Sequence, residues 1–454
     1  MKRLVLLLIT LSFITVYSCD RAGQESADIQ TSTNPPEWSY NASIYEVNVR
    51  QFSEEGTFEA FSRELPRIRE MGVDIIWLMP VHPIGEINRK GTLGSYYSVQ
   101  DYYGINPEFG TKEDFARLVE AIHAEGMYVI LDWVANHTAW DNPLAESNPE
   151  YFETDENGRF LPPRGTDWDD VIQLDYENPD VWTYMTDALA YWVEEFNIDG
   201  YRCDVAYLVP TPFWNQARTA LDRIKPVFML AEADLPELHE QAFDMSYDWK
   251  MHSLMNRIAA GEAAPDDLEQ LIDEQRSLYP PNAFRMQFTS NHDENSWAGT
   301  VFERLGEGAK TFAVLAATIE GMPLVYNGQE AGLDKRLEFF EKDPIEWKES
   351  PFEELYTRLL NLKTENRALW NGEKGGLLQR IKTDRDDSIF AFIREMEDDK
   401  VFVVLNLSAE PVDFSTDDSR MAGGYTSLFS GEQMRFSGNV SFSMEPWEYG
   451  VFVK

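Results

Sequence analysis

From residue 43 onward, hydrophobic positions alternate between short continuous runs and runs spaced three or four residues apart. Continuous apolar runs of strand length predict strands covered on both faces, whereas spacings of three and four predict amphipathic helices. The predicted strands cover residues 43–52, 73–81, 127–134, 200–206, 226–233, 243–249, 284–290 and 322–326. The predicted helices cover 58–71, a segment opened by a Thr111–Asp114 capping box, 179–197, 213–224, 309–320 and 351–368.

Eight predicted strands, mostly separated by helices, are the pattern of a (β/α)8 TIM barrel of the α/β class. An open doubly wound sheet gives similar alternation, but no Gly-x-Gly-x-x-Gly follows the first strand and polar residues fall late on many strands, which favours the barrel. The segment 138–175 is too long for an ordinary loop and predicts a short inserted subdomain after the third strand. Short alternating runs over 375–454 predict a C-terminal antiparallel β-sandwich, which leaves 37–137 and 176–374 as the two parts of the barrel.

The start of the chain has the composition of an export signal. Two basic residues precede an apolar run at 4–16 that is too short to cross a bilayer. A small residue then stands directly before Cys19, which resembles a bacterial lipoprotein site, and residues 20–36 have the polar composition of a tether. We expect a signal at 1–19 and an exported protein, lipid-anchored at Cys19 and facing the periplasm or cell surface. Ordinary secretion is the alternative.

Charge narrows the classes of partner. The chain has 39 Lys and Arg against 79 Asp and Glu, a formal net charge of −40. This balance argues against nucleic-acid binding and against docking of a basic face on anionic lipid, which leaves a lipid anchor as the expected membrane contact. A hydrophobic content of 43% with 13% aromatic residues predicts a folded body, and two cysteines exclude a disulfide scaffold. Composition leaves the oligomeric state open.

Polar and charged residues gather where four of the predicted strands end. In a barrel of parallel strands, these ends form the face that carries functional side chains. One such residue caps a helix or forms an ion pair more often than it performs chemistry, but four strand ends in one barrel are hard to explain by capping alone. The residues are Asp132, Asn136 and His137 after the third strand, Arg202 and Asp204 on the fourth, Glu232 on the fifth, and His292 and Asp293 on the seventh.

Several carboxylates without a metal-ligand pattern indicate glycoside hydrolysis, in which one acid protonates the leaving oxygen and another attacks or activates water. Asp204 and Glu232 lie on consecutive strands, so their carboxyl groups can approach to about 5 Å, the separation of retaining enzymes. Arg202 shares a strand face with Asp204 and should keep it ionised. Glu232 follows an apolar run, where desolvation should raise its pKa towards that of a useful acid.

The four strand-end segments also resemble the motifs of the α-amylase family, glycoside hydrolase family 13. They occur in the order of that family, over a resemblance that covers residues 43 to about 372, and read LDWVANH, GYRCDV, MLAEAD and FTSNHD. The resemblance implies a barrel enzyme acting on α-glucosidic bonds. It implies that Asp204 is the nucleophile, that Glu232 is the acid/base, and that Asp293 is a third carboxylate binding sugar hydroxyls. Asp132 is interpreted as a structural acid of the barrel rim.

The same resemblance implies a binding site for the sugar whose bond is cut. His137 and His292 would hydrogen-bond this sugar in the −1 subsite, and Arg202 would orient the nucleophile. Tyr97 would be the aromatic platform beneath the sugar, although Tyr96 is adjacent and only one of the two can face inward.

One departure from the family bears on calcium. Many endo-amylases of the family place a histidine where this chain has Leu208, so the usual calcium site is in doubt. Asn136 remains a possible ligand, and Asp167, Asp169 and Asp170 either complete an oxygen cage or form turns. The chemistry itself needs no cofactor.

We therefore expect a retaining α-glucan hydrolase that cleaves α-1,4 bonds in starch, maltodextrin or related oligosaccharides. The short insert predicts an open cleft that suits internal cleavage. A glucanotransferase or an α-glucosidase of the same family uses the same covalent step and stays open as an alternative. A surface glycan-binding lipoprotein without turnover is a further alternative, which the complete set of polar residues argues against.

Overall fold

A computed structural model describes residues 34–454. The predicted signal at 1–19, the lipidation site Cys19 and the predicted tether up to residue 33 lie outside the described residues.

The predicted barrel is confirmed. Parallel pairing closes eight strands of the described chain into a ring in which β1 pairs with β2 on one side and β10 on the other, which excludes the open sheet. Around the ring the order is β1, β2, β3, β6, β7, β8, β9, β10. The strands are β1 Ile44–Val47, β2 Ile75–Leu78, β3 Tyr128–Trp133, β4 His137–Ala139, β5 Val171–Gln173, β6 Gly200–Cys203, β7 Phe228–Ala231, β8 Met245–Tyr247, β9 Phe284–Gln287 and β10 Met322–Tyr326.

Two hydrophobic layers support the ring, because successive side chains on a strand point to opposite faces. Inside the barrel, Ile44, Trp77, Leu230 and Met286 belong to one buried cluster. Outside it, the intervening side chains of the strands join a larger cluster with the apolar faces of the surrounding helices. The carboxyl ends of all eight strands therefore stand on a rigid base.

Every predicted helix is present in the structure, and the described residues also form five helices that the sequence pattern does not predict, at 49–52, 144–147, 249–259, 266–278 and 301–305. The helices are α1 Val49–Phe52, α2 Phe58–Ser62, α3 Leu65–Glu70, α4 Lys112–Ala124, α5 Leu144–Ser147, α6 Pro179–Phe196, α7 Thr211–Leu221, α8 Trp249–Ala259, α9 Asp266–Leu278, α10 Val301–Leu305, α11 Ala309–Thr318 and α12 Pro351–Glu365. None of the helices between residues 34 and 454 is long and apolar enough to span a membrane.

Two predicted elements differ from the structure. The first strand ends at Val47, because the Asn48 side chain accepts a hydrogen bond from the Gln51 amide and begins a short helix. The predicted helix over 58–71 is two helices, and Pro66 lies in the first turn of the second, where its missing N–H costs nothing.

The insert after β3 begins with an antiparallel pair, because β4 pairs with β5. This pairing returns the chain from the insert to the edge of the barrel close to the point where it left. The residues between the two strands therefore form a protrusion beside the ends of β2 and β3, next to the polar strand ends.

The last part of the chain forms two antiparallel sheets that share one buried core, as predicted for a β-sandwich. The larger sheet has the order β11-β12-β13-β18-β15-β16, and the smaller pairs β14 with β17. The strands are β11 Gln379–Ile381, β12 Ile389–Met396, β13 Asp399–Asn406, β14 Val412–Thr416, β15 Gly423–Ser427, β16 Gln433–Phe436, β17 Val440–Met444 and β18 Tyr449–Val453.

A buried arginine on β12 joins this domain to the barrel. The guanidinium of Arg394, 1% exposed, donates to the carbonyl oxygens of Gly376 at 2.7 Å, Ile319 at 2.7 Å and Trp370 at 2.9 Å. Burial lowers the pKa of this arginine to about 10. The side chain thus satisfies carbonyl groups of both domains where water has no access.

Replacing Arg394 should destabilise the protein. Arg394→Met leaves these buried carbonyls without donors, and we expect a loss of about 2–4 kcal/mol in the free energy of unfolding. Urea unfolding followed by tryptophan fluorescence measures the loss. The control is Arg385→Met, which removes an exposed arginine paired with Asp387 and should cost less than about 0.5 kcal/mol. Equal losses in the two variants would contradict the linking role of Arg394.

Candidate active site

The carboxyl ends of the barrel strands surround a cleft of about 420 Å³. Most of the site residues predicted from the sequence line it, and they come from the ends of β3, β6, β7 and β9 and from the loop after β2. These lining residues are Tyr97, His137, Asp204, Glu232, His292 and Asp293.

Arg202 is the centre of the polar network beneath this cleft. Its side chain is fully buried, and Nη1 donates to Asp132 Oδ1 at 2.8 Å and to Asp204 Oδ1 at 3.0 Å. Nη2 lies 2.9 Å from Glu232 Oε2, and Nε donates to the Tyr247 hydroxyl at 3.1 Å. One guanidinium therefore holds three carboxylates from three neighbouring strands.

This arrangement changes the protonation of Asp204 and Glu232. Burial raises the pKa of Asp204, and the charge of Glu232 raises it further against the opposing effect of Arg202. Burial also raises the pKa of Glu232, again opposed by Arg202. A single positive charge does not balance three buried carboxylates, so Asp204 and Glu232 titrate as a pair that takes up a proton more readily than free acids.

Val205 follows the nucleophile candidate in a left-handed conformation, with φ 37° and ψ 46°. This conformation is unfavourable for a β-branched residue. The Val205 N–H donates to Glu232 Oε2 at 2.7 Å. Sequence reasoning missed this contact, because no composition signal marks a strained valine.

A second network runs through His292. Its Nδ1 contacts Glu46 Oε1, and its Nε2 lies 2.8 Å from the Tyr97 hydroxyl. That hydroxyl donates to Asp132 Oδ2 at 3.0 Å. Burial opposes a charge on His292, but Asp293 and Glu46 raise its pKa to about 9. Glu46 was missed from the sequence, although it is an acid on a strand in an otherwise apolar run.

The structure distinguishes the two adjacent tyrosines. Tyr97 lines the cleft, and its ring stacks on His292 with centroids 5.4 Å apart. Tyr96 is buried, with the Arg50 guanidinium 4.3 Å from its ring centre. Tyr97 is therefore the one placed to contact a ligand.

His137 is 2% exposed, and burial lowers its pKa to about 4. It is therefore neutral at pH 7 and can offer a hydrogen bond without a charge. Its ring lies 5.5 Å from that of Trp168, a cleft residue from the insert that sequence reasoning did not select.

The residues near Asn136 do not fit a calcium cage. Asn136 Oδ1 accepts a hydrogen bond from the Gln173 amide at 3.0 Å, so the oxygen that would bind the ion already has a partner within the protein. Asp169 and Asp170 each lie 3.3 Å from the Lys90 ammonium, so a cation of the protein itself already pairs with them. Within the described part of the chain, no group of three or more His, Cys, Asp or Glu side chains is arranged to hold a metal ion.

Comparison with known proteins agrees with this geometry. Two relatives align over most of the chain. An α-amylase, MalA, of Haloarcula japonica is 28% identical over 83% of this chain and 57% of its own length. An alpha-1,4-glucan:maltose-1-phosphate maltosyltransferase of Cereibacter sphaeroides is 27% identical over 81% of this chain and 58% of its own. The chain thus spans less than two thirds of the length of these two relatives.

A solved structure matches over nearly its whole length. The maltogenic α-amylase AmyB from Thermotoga neapolitana is 31% identical, with a TM-score of 0.83 over 91% of this chain and 98% of that chain. The family model for the maltogenic amylase C-terminal domain matches residues 379–451, and the model for the alpha amylase catalytic domain matches residues 29–161 and 166–368. With most of its length inside these matches, the chain belongs to the α-amylase family.

Proposed function

We propose that this protein is a retaining α-glucan hydrolase that cleaves α-1,4-glucosidic bonds in starch, maltodextrin or related oligosaccharides. The observation that carries the proposal is the contact of one buried guanidinium, Arg202, with both Asp204 and Glu232 at the base of a cleft that Asp293 also lines. Retaining hydrolysis needs two carboxyl groups in different protonation states. Asp204 and Glu232 are buried together and repel each other, so the pair takes up a first proton readily and a second only at lower pH.

In the first step, an Asp204 oxygen attacks the anomeric carbon of the sugar in the cleft. The bond from that carbon to the glycosidic oxygen breaks, and Glu232 gives its proton to the departing oxygen. The positive charge that develops on the ring lies close to Asp293, which favours the transition state. The product of this step is a glycosyl ester on Asp204 and a shortened chain with a new hydroxyl.

In the second step, Glu232 is ionised and accepts a proton from water. The water oxygen attacks the anomeric carbon from the face that the leaving chain vacated, and the ester bond to Asp204 breaks. Two inversions at the same carbon give retention. Each side chain returns to its starting protonation state, and the reaction consumes one water for each bond.

The proposed mechanism requires the proton of the resting pair to lie on Glu232, because attack on the anomeric carbon needs an ionised Asp204. Asp204 accepts a charge-assisted hydrogen bond from Arg202 Nη1, which favours its ionised form. Once Glu232 is neutral, its repulsion no longer raises the pKa of Asp204. The resting pair then has a nucleophile and an acid.

Transfer of the glycosyl group to another sugar is the second candidate function. It uses the same ester and differs only in the group that resolves it, so the relation to a maltosyltransferase supports this alternative as well as the first. An α-glucosidase is a further alternative, and it differs from the proposed hydrolase only in the length of the substrate that it cleaves. A binding protein without turnover is the weakest alternative, because binding a glycan does not require two buried acids paired with one cation.

We also propose that the protein is exported and lipid-anchored at Cys19, facing the periplasm or cell surface. The support is the sequence of residues 1–19.

Expression in a bacterium fed radiolabelled palmitate should label the protein and place it in the membrane fraction. Cys19→Ser should remove both the label and the membrane association, whereas Cys203→Ser, at a buried cysteine, should retain them. An unlabelled wild-type protein in the medium would favour ordinary secretion.

Products from maltoheptaose test the catalytic assignment. We expect the wild-type protein to release shorter maltodextrins whose new reducing ends are in the α configuration when observed at once by NMR. Glu232→Gln should lower kcat by about 10²–10⁴-fold, because the leaving oxygen loses its proton donor, and Asp204→Asn should lower it at least as much. The matched control is Asp222→Asn, a partly exposed partner of Arg218 outside the cleft, which should keep kcat.

Each of the other outcomes selects another function. Products longer than seven units would establish transfer, and new ends in the β configuration would exclude the covalent step. Binding of maltoheptaose without any turnover would favour the glycan-binding alternative.

The charge of His292 should appear in the pH dependence of stability. Its pKa is raised from 6.5 to about 9, so its contribution to folding is complete below about pH 6.5 and is lost as pH rises through 9. Glu46→Gln removes one of the two carboxylates that stabilise this charge. We expect it to lower the free energy of unfolding by about 1–3 kcal/mol at pH 7, with a deficit that shrinks towards pH 10.

Urea unfolding at pH 7, 8, 9 and 10 measures this deficit. The control is Glu330→Gln, because Glu330 is equally buried but pairs with Arg67, which does not titrate in this range. Its deficit should stay constant across the four pH values. A constant deficit for Glu46→Gln as well would show that His292 is neutral.

A further inference from the structure

One wall of the cleft is built from three loops on the side away from Glu232. Residues 88–94 follow β2, Asp167–Asp170 belong to the insert, and residues 338–341 follow β10. Around the barrel, β2 and β10 flank β1, and β1 lies opposite β7, after which Glu232 stands. The loops after β2 and β10 therefore lie on the side of the barrel away from Glu232, and the insert after β3 stands beside them.

Lys90 fastens the first loop to the insert. Its ammonium donates to the Asp167 carbonyl oxygen at 2.8 Å and lies 3.3 Å from a carboxylate oxygen of both Asp169 and Asp170. The Asp170 side chain is only 6% exposed, and that of Lys90 only 28%. Because water screens such a site incompletely, this link is stronger than an ordinary surface ion pair.

The other end of the same loop is fastened to residues 338–341. The Leu93 amide donates to the Phe340 carbonyl oxygen at 3.1 Å, and the Thr92 amide donates to Glu341 Oε1 at 2.8 Å. The Thr92 hydroxyl contacts the same carboxylate. Gly91 has φ 62°, and a Cβ at this position would lie 2.5 Å from Phe340 Cβ. Only glycine permits so close an approach.

These linked residues belong to the cleft itself. Lys90, Asp167, Asp170 and Phe340 line the same cavity as Tyr97. The three loops therefore form one continuous rim. A sugar chain that extends from the cleft on this side would contact these loops, which are joined to one another by hydrogen bonds and ion pairs.

The mechanism identifies which part of a substrate meets this rim. Glu232 protonates the leaving oxygen, so the departing, reducing-end part of the chain lies on the β7 side. The part that remains on Asp204 extends the other way and ends at the non-reducing terminus. We propose, on the basis of the proposed function, that the rim closes the glycone side of the cleft, so that the enzyme acts from non-reducing chain ends and releases products of one short length.

The segment that follows Asp204 carries exposed apolar side chains. Tyr207 and Leu208, in the segment after Asp204, are 55% and 39% exposed. Tyr207 lies three residues after Asp204, and an exposed aromatic ring in this segment suits stacking against the departing chain. The cleft is thus asymmetric, and the internal cleavage expected from the short insert gives way to action from chain ends.

Substrates with a blocked end test this inference. The protein is given nitrophenyl maltoheptaoside with either a free or an ethylidene-blocked non-reducing end, and early products are separated by chromatography. We expect one short product to dominate with the free substrate, and the blocked substrate to react at least about tenfold more slowly, because the added group meets the rim. Equal rates on both substrates, with a ladder of products, would overturn the closed end while leaving hydrolysis intact. Cleavage of neither substrate would overturn the proposed function itself.

A substitution in the rim gives a second, independent readout. Lys90→Met removes the link to the insert and should raise the ratio of blocked to free rates at least about threefold, as the rim opens. The control is Lys250→Met, which breaks an exposed ion pair on the outer face of the barrel. Lys250 Nζ lies 2.9 Å from Glu274 Oε1, and the loss of this pair should leave the ratio unchanged. An unchanged ratio in Lys90→Met would overturn the part assigned to Lys90.

Discussion

The buried guanidinium of Arg202 is the interaction on which the site depends. A lone carboxylate in such a place would take up a proton, because a buried charge without a partner is costly. Arg202 keeps three carboxylates together at the strand ends, and Asp132 and the Tyr247 hydroxyl fix its position from the barrel interior. The site therefore needs the barrel to fix the position of the Arg202 guanidinium. The parallel register between β3 and β6, which pairs Asp132 with Arg202, fixes it.

The histidines illustrate how burial alone does not decide a charge. His137 and His292 are both about 2% exposed, yet burial lowers the pKa of the first to about 4 while nearby carboxylates raise that of the second to about 9. The difference comes from Glu46 and Asp293, which contact His292, whereas the Asn136 amide is the neighbour of His137. One ring of the site is thus a neutral hydrogen-bonding group, and the other is a cation beside the third carboxylate.

Much of this could be predicted from sequence because it depends on periodicity and on strand ends. Arg202 lies on β6 and Asp204 directly follows that strand, so their shared face follows from the alternation of side chains in extended backbone. The contacts of Glu46, Val205 and Lys90 could not be predicted in this way. Glu46 meets His292 only when the barrel closes, the Val205 amide meets Glu232 from the end of a neighbouring strand, and Lys90 reaches the insert across a loop. These contacts depend on tertiary placement, which local pattern does not encode.

The proposed closure of one side of the cleft also constrains how the proposed covalent intermediate is resolved. In that mechanism, the group that displaces Asp204 comes from the side that the leaving chain vacated, because Glu232 accepts its proton. The rim of Lys90, Thr92 and Phe340 lies opposite that side, so water and an acceptor sugar compete for the same opening. Tyr207, in the segment after Asp204, is exposed. The carboxylates are the same for hydrolysis and transfer, so the proposed mechanism makes the balance between the two depend on how long a departing chain stays on this segment.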